Sequence, residues 1–136
     1  MASKAVMDAV AARLTASWTA TLVMAPNLET RAPTGQQPHL IVQYPISKED
    51  HIGLGQVGQR TYRETGVIRL VLNVPRAQGA ETAYQWQEQL RALFRGVQFS
   101  GVQCIGASPS TDEDNNVRGS WYQMRILVDY YFDLQA

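Results

Sequence analysis

Tyr122, Met124, Ile126, Val128, Tyr130 and Phe132 occupy every second position near the C-terminus, opposite Gln123, Arg125 and Asp129. A period of two over so many large apolar residues predicts a strand with one buried face. The register of that strand sets most of the core. The chain is thereby committed to a sheet, and the other segments supply its neighbours and its cover.

Ser3 is placed to cap a helix whose apolar residues Val6, Val10 and Leu14 recur every fourth position, with Asp8 early and Arg13 late as the helix dipole favours. Thr19 to Met24 reads as a short edge strand ended by Pro26-Asn27, and a loop with Pro33, Gly35 and Pro38 follows. His39 to Ile46 predicts a strand with Leu40, Val42, Tyr44 and Ile46 on one face, its end marked by Pro45. Ser47 to Arg60 reads as a long polar, glycine-rich loop. A strand then runs to Val74-Pro75, with Gly66 marking a bulge. Ala80 to Phe94 predicts a helix with Ala83, Trp86, Leu90 and Leu93 on one stripe, and Gly96 ends it. Val97 to Ala107 reads as strand with turn chemistry at Ser100-Gly101. This order predicts an α+β fold: a mostly antiparallel sheet, two helices packed on one face, and long inter-strand loops. At 136 residues the chain reads as one domain with a real core, spanning 1–136.

Motifs that resemble chemical signatures break down in their details. Gly53-Leu54-Gly55-Gln56-Val57-Gly58 matches the G-x-G-x-x-G spacing of dinucleotide sites, but that motif needs a helix directly after it. Here a strand follows, with Thr61, Arg63, Thr65 and Val67 alternating against Ile68, Leu70 and Leu72. Asp112-Glu113-Asp114-Asn115-Asn116 begins like a calcium loop, yet Val117 stands where glycine is wanted and Gln123 where a closing glutamate is wanted. His39 and His51 lack a local nucleophile and orienting carboxylate. Cys104, the single cysteine, has apolar and glycine neighbours and reads as a small buried hydrophobe. Trp86 and Tyr130-Tyr131-Phe132 read as core packing. The residues imply no cofactor, no metal and no catalytic group.

Twelve Lys+Arg against twelve Asp+Glu give a formal charge of zero, which removes bulk attraction to nucleic acid or anionic membranes. No apolar run approaches membrane-spanning length. The reading is a soluble cytoplasmic protein.

Across most of its length the chain resembles the tail terminator proteins of long-tailed bacteriophages. The resemblance is carried by Ala11-Ala12-Arg13-Leu14, Ala25-Pro26-Asn27, Pro38-His39-Leu40-Ile41-Val42 and Gly53-Leu54-Gly55. Leu93-Phe94-Arg95-Gly96, Gly101-Val102 and Trp121-Tyr122-Gln123-Met124-Arg125-Ile126 continue it in the same order. It implies a structural virion protein of the tail, assembled in the host cytoplasm, whose hexameric ring caps the tail tube and joins it to a head-completion or neck protein. Residues in or next to the long loops Ser47–Arg60 and Ser108–Gly119 are the expected interface candidates: His51, Leu54, Gln56, Arg60, Arg63, Asp112, Asp114 and Arg118. The alternatives are another head–tail connector, a tube subunit, or a small nucleotide-binding protein using Gly53, Gly55 and Gly58. A tube subunit polymerises without limit, whereas a terminator stops at a ring.

Overall fold

The computed structural model describes residues 2–24, 37–75, 80–109 and 121–136. In chain order the elements are α1 (Lys4–Ser17), β1 (Leu22–Met24), β2 (His39–Gly53), β3 (Thr61–Pro75), α2 (Ala80–Phe94), β4 (Gln98–Phe99), β5 (Val102–Ser108) and β6 (Trp121–Gln135). The strands form one six-stranded sheet in the order β1-β2-β3-β6-β5-β4, antiparallel except for the parallel contact of β1 with β2. The architecture is α+β, as the sequence order predicts.

Alternation explains the core. Leu70 of β3 pairs with Val42 of β2 on one side and Ile126 of β6 on the other, and Leu72 pairs with Leu40 and Met124. All six lie on one face of the sheet and are buried. The helices cover that face. Val6, Ala9, Val10 and Leu14 of α1 are buried, as are Ala83, Leu90 and Phe94 of α2. Trp18, just beyond α1, meets Trp86 of α2 edge-on at 6.5 Å, and Arg13 Nε donates to the Leu93 carbonyl at 2.7 Å. The same guanidinium lies 5.1 Å over the Phe99 ring, so one arginine joins α1 to both the end of α2 and the β4 hairpin. Ser100 (φ 48°) and Gly101 (φ 84°) form the two-residue turn between β4 and β5, the left-handed pair that matches strand twist.

Four local expectations are corrected. Ser3 occupies the cap position of α1, but its hydroxyl makes no cap bond and is buried without a partner; its backbone N–H donates to Glu64 instead. Asp8 lies beyond the first turn, paired with Lys4 at 2.5 Å. The strand from His39 does not end at Pro45. Between the pairs Gln43↔Arg69 and Ile46↔Val67, β2 advances three positions while β3 advances two, a bulge at Tyr44-Pro45. The extra residue reverses the facing of everything after it. Ile46 therefore leaves the side of Leu40, Val42 and Tyr44 and is 63% exposed. The bulge expected at Gly66 lies on the neighbouring strand, and Gly66 keeps an unbroken register with Tyr130.

Leu90→Ala is expected to cost about 2–5 kcal/mol, because the deleted atoms leave a cavity at the fully buried seam between α2 and the sheet. A lowered urea midpoint checks this; an unchanged midpoint refutes it.

Candidate functional site

Past Glu49 of β2, Glu64 of β3 and Phe132 of β6, these strands continue without a fourth as a three-stranded arm. β1 accompanies β2 only over His39–Ile41, and β5 leaves β6 at Phe132. From Glu49 to Gly53 the arm adds roughly 13 Å, at about 3.3 Å per strand residue. It lies within the expected Ser47–Arg60 loop, of which Ser47–Gly53 is strand and only 54–60 is connection.

The root of the arm is held by a buried polar node. Glu64 is 6% exposed on the core face, where its Oε2 accepts the Tyr130 hydroxyl at 2.7 Å and the Ser3 backbone N–H at 3.2 Å. Tyr130 packs across Gly66. A Cβ on Gly66 would overlap the Ile46 carbonyl oxygen and approach the Tyr130 hydroxyl within 2.9 Å, so the glycine is required by close approach. Burial, reinforced by the bond to Glu64, pushes the Tyr130 hydroxyl far above its ordinary pKa. The node thus ties the start of α1 to both inner strands of the arm.

On the opposite face Arg63 grips Asp133 through Nε at 2.7 Å and Nη2 at 2.9 Å, and its guanidinium lies 4.2 Å from the centre of the Tyr131 ring. The hydrogen bond from Arg63 holds Asp133 below the usual carboxylate range. On the same face as Glu64, His51 stacks on its cross-strand partner Tyr62 at 5.0 Å. These exposed pairs stiffen the arm sideways.

The tip is apolar. Leu54 is 98% exposed, Val57 86% and Ile52 49%. Its fold explains the glycines: Gly58 takes φ +90°, and a Cβ on Gly55 would come within 2.9 Å of the Gln59 carbonyl. Gln59 N–H closes a turn on Gln56 O at 2.9 Å, and Arg60 Nε donates to Gly55 O at 3.2 Å. β3 follows with no helix N-terminus, so the phosphate-cradling geometry of a dinucleotide motif is not built here.

The structure brings His51, Leu54, Gln56, Arg60 and Arg63 together on this arm and tip. Asp112, Asp114 and Arg118, and the calcium-like loop around them, lie outside the described residues, as do Ala25-Pro26-Asn27. Glu64, Gly66 and Tyr130 were not anticipated as a unit. The available signal was Glu64 on the apolar side of the β3 alternation, in phase with Ile68 and Leu70.

Classical reactive groups are dispersed. His39 is buried near one end of β2, its pKa lowered by desolvation, and His51 lies roughly 40 Å away along the strand. Among the described residues no cluster of three His, Cys, Asp or Glu could hold a metal. Among them, too, no helix is long and apolar enough to cross a membrane. Cys104 is fully buried, which pushes its thiol up to about 11.

A family model described as phage tail terminator protein matches residues 5–130. The chain belongs to the phage tail terminator family. Membership makes it a structural protein of the virion tail. No curated protein matches it by sequence. A solved structure with 19% identity shares the terminator's fold, with a TM-score of 0.53 over all of this chain and 97% of that one.

Tyr130→Phe is expected to cost about 1.5–3 kcal/mol by removing a hydrogen bond to a buried carboxylate, measured by chemical denaturation. Native Cys104 is expected to resist thiol reagents at pH 8 and to react fully in urea. Because its folded pKa is raised from 9.0 to about 11, its stabilising contribution is complete below pH 9 and lost as pH rises through 11. Stability that holds across that window would refute it.

Proposed function

We propose that this protein forms a ring of six copies on the end of the tail tube, halts its polymerisation and offers its other face to a head-completion or neck protein. The observation that carries the reading is the arm: a stiffened three-stranded projection that ends in exposed Leu54 and Val57. Contiguous exposed apolar surface on a folded chain marks a contact with another macromolecule. A tube grows because each ring leaves an end face that templates the next; a terminator matches that face on one side and departs from it on the other. Zero net charge suits this role, because a ring does not multiply one sign sixfold. Assembly of this kind takes place in the host cytoplasm and draws on surfaces, with no cofactor or catalytic group.

Phage deprived of the protein are expected to make intact heads with tails that are overlong or unjoined, scored by electron microscopy and infectious titre. Complementation with a chain in which 54–59 is replaced by Gly-Gly is expected to supply folded protein, since loop closure entropy changes slowly with length, but not to restore tail length. Normal tails in the complete absence of the protein would refute the reading.

A further inference from the structure

The chain carries both halves of an apolar contact. Leu54 and Val57 form a knob at the tip of the arm. At the seam of α1 with the outer strands lies a cleft of about 150 Å³ lined by Met7, Val10, Ala11, Leu14, Val23 and Val42. An apolar cavity of about that size accepts a benzene-sized guest, so it has room for the four-carbon side chain of leucine. Val42 and Leu54 are twelve positions apart on one extended path, roughly 40 Å, so a knob cannot enter the cleft of its own chain. Knob and cleft can meet only between two copies.

We infer that the Leu54 knob of one copy seats in the α1–β2 cleft of the next. Charge is compatible with the fit: Arg60 stands at the base of the knob, and Asp8, paired with Lys4 but still 63% exposed, borders the cleft. Knob and cleft are different surfaces, so the contact is heterologous and repeats head to tail until it closes. Closure into a ring rests on the function proposed above. One knob buries less than the ~1,000 Å² of a stable pairwise interface, so a single contact is weak. In a closed ring every copy makes the contact twice, and assembly passes to the ring with few dimers.

The test uses Leu54→Cys and Ala11→Cys with a short bismaleimide; Cys104 is fully buried and does not compete. The double variant is expected to give a denaturing-gel ladder that ends at the ring, each single variant to stay monomeric, and their equimolar mixture to stop at a dimer. Leu54→Asp is expected to abolish the ring in sedimentation with an unchanged melting temperature. Cross-linking of Leu54→Cys to itself would overturn the inference by placing tips against tips. A native ring that neither cross-links in the double variant nor responds to Leu54→Asp would overturn it while leaving the ring itself intact. Native protein that stays monomeric at every concentration and does not cross-link would overturn both.

Discussion

The unbroken pairing of β3 with β6 is the constraint on which the rest of the molecule depends. From Thr61↔Gln135 to Pro75↔Trp121 the two strands keep one register without a bulge. Most of that ladder lies within the body of the sheet, and its last pairs, Thr61 to Arg63, run out into the arm. Because side chains alternate strictly, a slip of one residue would put Ile68, Leu70 and Leu72 in water and break the Tyr130–Glu64 bond together. Core and arm are therefore specified by the same pairing, and the arm inherits its direction from the most buried part of the sheet.

The bulge in β2 shows how one polypeptide serves two environments. Up to Tyr44 the strand presents Leu40 and Val42 to the core; after it, the same alternation turns Ile46 to the other side. Beyond that point the helical layer is replaced by the Glu64 node and by cross-strand pairs, Arg63 with Asp133 and His51 with Tyr62. Hydrophobic burial holds the body, and directional polar contacts hold the projection.

Long apolar alternation made β6 legible in the sequence, and apolar spacings of three and four made both helices legible, because each buries one face. The outer half of β2 was not legible. Ser47-Lys48-Glu49-Asp50-His51 is polar on both faces, so its strand character comes from pairing with β3 and leaves no mark of its own. Pro45 reads as a stop, but at a bulge its missing N–H breaks no ladder bond that the strand needs. Leu54, Gln56 and Arg60 were recognisable as exposed because glycines punctuate them; the Ser3–Glu64–Tyr130 node was not, since its members lie more than sixty positions apart along the chain.

Ala136 is stitched to the tip connection: its N–H donates to the Arg60 carbonyl at 2.9 Å. Anything joined after Ala136, whether a fluorophore or an affinity handle, is delivered beside Leu54 and Val57. A label there reports directly on what the arm touches, and a bulky one obstructs it.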